Sequence, residues 1–410
     1  MTDTPLPSIL ELTPFNPAYQ ADPHMVLDDL RARCPALRDP TTGNLLLTRY
    51  ADVRAVVNNR ELWRDPARAE EGSVMQRRFI DRAPADAPRT HVSSILTLDD
   101  PDHGRIRQPL AQALYARVAR FRPHVEALVD RVLDGLEGET RFDLMERFCV
   151  PIPIEAIAEI LGVDRSRLTE FRAWSEGVIH GLNPFRNEQQ TVVMEAAAAA
   201  LREYFTELMA DRRAEPRDDL ISDMVQLQAQ GAQLDDEELR LNLQALLVGG
   251  NLTTTDLIGN TVRNLLLNPA ELAKLKADPG IINAVVEEAL RYEPPVDMTG
   301  RVASGDIEAG GCPLHAGQPI SVSLRAANRD PEVFDDPHRF DVTRKHKPHV
   351  AFGGGSHICI GAPLARLETG VALVKLFQRF PNLRLADPEA SPSWRTLPFF
   401  RGMERLEVLA

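Results

Sequence analysis

The stretch Phe352-Gly-Gly-Gly-Ser-His-Ile-Cys359-Ile-Gly-Ala-Pro-Leu-Ala-Arg366 decides the reading of this chain. It sets one cysteine, Cys359, between a glycine-rich loop and the mouth of a helix expected over 362–380. The three glycines let the backbone turn sharply and come close to a ligand. Pro363 falls in the first helical turn, where a missing N–H does no harm. Unpaired backbone N–H groups and the positive end of a helix both favour thiolate at such a place. A thiolate on a rigid, donor-rich loop suits an iron centre; the alternative is an inert cysteine packed beside a turn.

Working outward, the 410 residues suffice for a large core, and the 31 prolines are spread along the chain rather than gathered into a linker. A net charge of −13 argues against nucleic acid as the main partner, because that needs a basic face. The four cysteines (Cys34, Cys149, Cys312, Cys359) share no CxxC or other paired spacing. That excludes a disulfide framework and a cysteine zinc site, and fits a reducing compartment. No basic stretch followed by an apolar run opens the chain, and no apolar run approaches the roughly 20 residues that span a bilayer. The expectation is a cytoplasmic protein of one domain over 1–410, mainly α with a smaller β region.

The aperiodic segment 1–22 is expected to lie along the surface, extended over 1–13. Residues 23–33 and 50–59 read as helices and 44–49 as a strand. From 63 to 97 charges, prolines and small residues alternate without period, which marks a binding loop or lid. Helices dominate from 101 to 294, although 144–161 offers at most a short one between Pro151 and Pro153. The longest, 235–267, opens on a capping box, Asp235 with Glu238, and stops at Asn268-Pro269. At 1.5 Å per residue it spans about 50 Å, and it is apolar nearly all round at 243–248, so it should cross the core. Its middle, Gly249-Gly-Asn-Leu-Thr-Thr-Thr255, is made of poor helix formers and predicts a kink. A helix over 279–292 carries Glu288 and Arg291 on one face. Strands follow over 296–322, and short strands close the chain.

One thiolate-bearing loop and one weakened central helix suggest a single buried cofactor, and haem held by a cysteine thiolate is the main chemistry of this kind. Phe352-Gly353-x-Gly355-x-His357-x-Cys359-x-Gly361 resembles the haem-binding signature of the cytochrome P-450 monooxygenases. Glu288-x-x-Arg291 resembles their invariant helix pair. Ala327-Asn328-Arg329-Asp330-Pro331 and Phe340-Asp341 are similar to the segment before the haem loop in bacterial members. His103-x-x-x-Arg107 resembles their propionate-binding helix. The resemblance runs from about residue 14 to the C-terminus, in the right order. It implies the P-450 fold, with haem b (iron protoporphyrin IX) buried between the long central helix and the cysteine-loop helix.

The resemblance also implies roles. Cys359 is the axial thiolate, within a loop whose Phe352, Gly353 and Gly361 approach the haem. His103, Arg107, Arg301 and His357 hold the haem propionates, and arginine suits carboxylates bidentately. Glu288, Arg291 and the region of Arg329 form a scaffold. Thr253 helps direct protons during dioxygen activation. The family's pattern there is Ala/Gly-Gly-x-Asp/Glu-Thr, whereas here Leu252 stands where the acid sits. The relay then runs through Thr253, Thr254, Asn251 and water, or borrows another acid, Asp256 being one turn away. Substrate-facing segments map onto Ile95, Val178, Leu246, Val248, Gly249, Val296, Met298 and Phe399, for each of which plain core packing is the alternative. Arg77, Arg78 and Arg82 could steer an acidic substrate or form a solvated loop face.

The implied activity is insertion of one oxygen atom from O2 into a small, mostly apolar organic substrate, most simply by C–H hydroxylation. The implied electron source is a separate ferredoxin with its ferredoxin reductase, meeting a monomeric enzyme at a basic face made by Arg105, Arg344, Lys345, Lys347 and Arg366. A peroxide-using haem-thiolate oxygenase is the enzymatic alternative, and a non-catalytic haem-binding sensor is the alternative outside enzymes.

Overall fold

The computed structural model describes residues 5–73, 75–76, 94–183, 186–345 and 348–410. Arg77, Arg78, Arg82 and Lys347 lie outside the described residues. The chain divides into two compact units, the first made of Met1–His91, Glu287–Cys359 and Ser391–Gly402, the second of Val92–Val286, Ile360–Ala390 and Met403–Ala410.

The first unit is built on a four-stranded sheet. Leu45–Leu47 pairs antiparallel with Ala36–Arg38 and parallel with Pro319–Ser323, which pairs antiparallel with Met298–Val302. Leu45–Leu47 is buried on both faces, as a run of three leucines demands. On one face Leu45, Leu47, Ile320 and Val322 pack with Val53, Val56 and Val57 of helix Tyr50–Asn58. On the other, Leu46 and Met298 pack with Ile9, Leu12, Tyr19, Leu27 and Leu30. Each of these side chains contributes about 1.5–3 kcal/mol by leaving water.

That second cluster corrects the reading of the first 22 residues. The segment is packed rather than lying along the surface: Ile9, Leu12 and Tyr19 are buried. Ser8 and Glu11 form a capping box on the 3-10 turn Ile9–Glu11, which is too short to show a period. Helix Pro23–Arg33 and helix Tyr50–Asn58 stand where the apolar spacing sets them.

Helices dominate the second unit. Asp102–Val118, Arg122–Asp134, Leu168–Ile179, Glu188–Ala214, Leu220–Ala229 and Pro269–Ala277 surround or follow the 32-residue helix Asp236–Leu267. Its capping box is present as expected: Asp235 accepts from Glu238 N (2.7 Å) and Glu238 accepts from Asp235 N (2.9 Å). This central helix packs against helix Pro151–Leu161 and against the cysteine-loop helix Ala362–Arg379.

One expectation fails here. Residues 151–161 form a full helix, because Pro151 is its first residue and Pro153 lies in its first turn, where no N–H is needed inside the helix. The central helix is α-helical throughout Gly249–Thr255. Burial of Asn251, Leu252, Thr254 and Thr255 offsets the poor propensity of this segment. The π-helical turn among the described residues is instead Met145–Cys149, which packs against the central helix. A Cβ at Gly259 would stand 2.4 Å from Met145 Sδ, so any larger residue there would have to displace that side chain.

Candidate functional site

In the first unit, the cysteine loop is fastened to the end of helix Tyr50–Asn58. The last carbonyls of a helix have no partner within it. Asn58 Oδ1 accepts from Gly355 N (2.9 Å), and Cys359 N donates to Phe352 O (3.0 Å), closing the loop on itself. Gly353 and Gly355 have φ of +69° and +63°, a conformation that favours glycine. A Cβ at Gly355 would also stand 2.7 Å from Val57 O. Val350 N donates to Asn328 Oδ1 (2.8 Å), which fixes the entry to the loop. Phe352 lies against His349, with ring centroids 6.0 Å apart. His357 is half-buried in the 3-10 turn Gly355–His357, and Gly361 precedes helix Ala362–Arg379. Cys359 and its apolar neighbour Ile358 are exposed on this unit.

The same helix end receives Arg301. This buried arginine lies on strand Met298–Val302, and its Nη2 donates to Val57 O (3.3 Å). The structure therefore brings Arg301 and the cysteine loop together through Val57 and Asn58. Sequence reasoning missed both residues; the Asn58-Asn59 doublet closing a helix was the available signal. Asn328, which ties the loop entry, was likewise quoted in a motif without a role.

Val296, Met298 and Phe399 also meet. Val296 bridges to Phe400, and Asp297 N donates to Phe399 O (2.8 Å). Phe399 has φ +67°, which a bulky residue adopts only when its surroundings hold it there. They do: the Asp297 carboxylate accepts from Tyr19 Oη (3.1 Å) and Arg325 Nε (2.6 Å), while Arg325 also pairs with Glu293. Met298 belongs to the buried apolar cluster of Ile9 and Leu12, and Phe399 packs against it.

In the second unit, Thr253 Oγ1 donates to Gly249 O (2.7 Å). Ala245, Val248, Gly249 and Thr253 recur at helical spacing and are accessible, on a helix otherwise largely buried. A Cβ at Gly249 would meet nothing within 4 Å among the described residues. Leu246 and Leu252 are buried beside this stripe, as are Asp256 and Thr254. Asn251 lies elsewhere on the helix, buried, with Nδ2 donating to Ser175 Oγ (2.8 Å); its amide joins two helices. Ile95 is buried, its N–H donating to Asn242 Oδ1 (2.9 Å), and Val178 is buried on helix Leu168–Ile179. His103 is buried near Asp100, with Nδ1 3.6 Å from the carboxylate, and Arg107 is half-buried. Burial, then the Arg107 charge, hold the His103 imidazole below its ordinary pKa. At neutral pH it is a neutral donor rather than a cation.

The scaffold pair is buried and bidentate: Arg291 donates to both Glu288 oxygens at 2.7 Å. Arg291 also donates to the carbonyls of Asn328 (3.1 Å), Pro337 (2.9 Å) and Arg339 (3.1 Å). One helix turn thus gathers the irregular segment leading to the cysteine loop. Arg329 stacks 3.6 Å from the Tyr292 ring centroid, and burial draws its pKa down to about 10.

The expected basic face loses two members. Arg344 Nε donates to Glu288 (3.2 Å) and its other nitrogens reach main-chain carbonyls of Asp335, Asp336 and Arg339. It is a structural tie that completes the Glu288 shell. Arg105 is paired with Glu238 (2.6 Å) and Asp102 (2.9 Å), which cancel its charge. Lys345 is exposed, and Arg366 is half-buried.

A family model described as cytochrome P450 matches residues 280–396. The chain is 38% identical to "Cytochrome P450 107B1" of Saccharopolyspora erythraea, covering 100% of this chain and 99% of that protein. It is 38% identical to "Nocardicin C N-oxygenase" of Nocardia uniformis subsp. tsuyamanensis, covering 96% and 97%. Among solved structures it resembles P450BioI in complex with a hexadecenoic acid-ligated acyl carrier protein, with a TM-score of 0.85 at 32% identity over 96% of this chain and 100% of that one. The residues present fit haem b: Cys359 offers a sulfur ligand, buried Arg301 a cationic donor for a carboxylate, and the Gly249 stripe an apolar surface. This chain belongs to the cytochrome P450 family and is a haem-thiolate monooxygenase of the bacterial type.

Proposed function

We propose that the enzyme hydroxylates a C–H bond of a small, mostly apolar organic molecule, and that Cys359 is the thiolate ligand. Haem held by a thiolate supplies dioxygen activation when electrons and protons are delivered to it. The observation carrying this reading is the stripe Ala245, Val248, Gly249 and Thr253, an accessible apolar helix surface bearing one hydroxyl. Arg301 and His357 of the first unit would pair with the haem propionates, as would His103 and Arg107 of the second. Thr253, with its proton committed to Gly249 O, accepts a hydrogen bond from water and orients it. Leu252 brings no proton, so water supplies it. Val296, Met298 and Phe399 present apolar surface to substrate, as do Val178, Leu246 and Val248.

Electrons come from a ferredoxin reduced by its reductase, and the enzyme works as a cytoplasmic monomer. No helix among the described residues is long and apolar enough to cross a membrane. The substrates that relatives are named for differ: one is an N-oxygenase acting on nocardicin C, another hydroxylates 6-deoxyerythronolide B. The test is a spectral-shift screen against terpenes, aromatic acids, fatty acids and macrolides. Turnover of the hits is then compared between ferredoxin with reductase and peroxide alone. Hydroxylated product with the electron donor supports the reading; product with peroxide only would replace it by the peroxide-using alternative.

A further inference from the structure

Helix Ile282–Tyr292 carries two consecutive acids with different tasks. Glu288 is engaged by Arg291 and Arg344. Glu287 reaches His349, which precedes the cysteine loop in the same unit: His349 Nε2 stands 3.2 Å from Glu287 Oε2. The two side chains are 6% and 17% exposed.

The other ring nitrogen takes a main-chain group of the loop. Ala351 N donates to His349 Nδ1 (3.2 Å). A ring nitrogen that accepts an N–H carries no proton, so the proton sits on Nε2 and points at the Glu287 carboxylate. Both nitrogens are thereby committed, and the ring cannot turn without losing a bond. The same ring meets Phe352, with centroids 6.0 Å apart and planes at 47°. His349 thus holds Ala351 by its N–H and Phe352 by its ring. The Phe352 carbonyl is in turn the acceptor for Cys359 N (3.0 Å), and Gly353 N closes the turn on Val350 O (2.9 Å). An ordinary surface ion pair would leave Nδ1 to water; here it is tied to the residue beside the one that holds the cysteine.

We propose that His349, oriented by Glu287, is a positioning residue for the cysteine thiolate: it fixes the Ala351–Phe352 segment, whose carbonyl sets the backbone of Cys359. The proposal rests on Cys359 being the thiolate ligand. Breaking the pair would loosen the turn and let water reach the sulfur. Water donating to a thiolate disperses its charge, which favours reduced iron.

The test follows two properties of the haem-loaded protein that a bystander pair would not move. One is the reduction potential. The other is the rate at which the reduced, carbon monoxide-bound form loses its long-wavelength Soret band, at a temperature where circular dichroism shows the fold intact. His349→Phe keeps a ring against Phe352 and removes both hydrogen bonds. It should speed band loss at least tenfold and shift the reduction equilibrium toward the reduced form by about tenfold, or about 59 mV for one electron. Glu287→Ala should move both properties the same way, and the double variant should do no more than His349→Phe alone. Glu287→Gln, whose carbonyl still accepts from Nε2, should stay within about threefold of wild type in both. If His349→Phe does not fold, the contrast between Glu287→Ala and Glu287→Gln still decides. A wild type without the long-wavelength band would overturn the thiolate reading and this proposal with it. With that band present, variants that match wild type in both properties, Glu287→Gln as damaged as Glu287→Ala, or effects that add in the double variant would overturn the positioning role alone.

Discussion

Thr253 donates its hydroxyl proton to the carbonyl of Gly249 at 2.7 Å, so its oxygen is left as an acceptor on the accessible stripe of the central helix. Thr253 can orient a water but does not itself hold a proton ready to give. Thr253→Val removes the acceptor with little change in shape. Product per electron should fall by about tenfold or more, with hydrogen peroxide released instead, while Thr253→Ser keeps most of the coupling. Peroxide yield measured beside product checks this, and equal coupling in Val and Ser variants would contradict it.

Leu252 is buried at the position where the sequence resemblance leads to the expectation of an acid. Leu252→Glu introduces a carboxyl whose pKa burial should raise, bringing it closer to the working pH. Coupling of electron consumption to product should change, and the pH dependence of turnover should gain a new ionisation. A variant with wild-type coupling, rate and pH profile would show that proton supply does not pass this position.

The Glu288–Arg291 pair is held by two 2.7 Å bonds and is nearly inaccessible. Arg291→Lys loses the bidentate geometry and the bonds to Asn328, Pro337 and Arg339, leaving a buried carboxylate poorly matched. Breaking such a pair costs about 3–5 kcal/mol. The variant should lose haem and melt well below wild type in a thermal scan; a melting temperature within a degree or two would contradict the scaffold role.

Acid should weaken the fold through two histidines. Burial, then Arg329 and Arg325, lower the pKa of His24, and burial, then Arg107, lower that of His103. Each is neutral when folded, and His24 Nε2 faces Arg325 Nη1 at 3.5 Å. With the folded pKa below the unfolded value of about 6.5, the unfolded chain binds more protons in between. Stability is therefore full above about pH 6.5 and declines as pH falls below it. Urea unfolding at pH 7.5 and pH 5.5 should show the loss, and His24→Gln should shrink it. An unchanged slope in that variant would refute the assignment.

Much of this molecule was legible because strong local signals agreed with the tertiary fold. The capping box at Asp235 and Glu238, the apolar side of 50–58 and the Gly-Cys loop each rest on a few neighbouring residues. Failures came where distant packing decides. Ile9, Leu12 and Tyr19 show no period, yet they cover the sheet face beside Leu46. Arg344 and Arg105 read as surface charge until Glu288 and Glu238 are seen beside them. Asn58 and Asn44 take their partners from Gly355 and Ser321, each more than 270 positions away in sequence, which no local pattern shows.

The central claim is that Cys359 binds haem iron as a thiolate. The direct measurement is the difference spectrum of the reduced, carbon monoxide-bound protein, for wild type and Cys359→His. Wild type should give the long-wavelength Soret band of a thiolate-ligated haem, and Cys359→His should shift it to the shorter wavelength of imidazole ligation. A wild-type band already at the shorter wavelength, or one that Cys359→His leaves in place, would contradict the account.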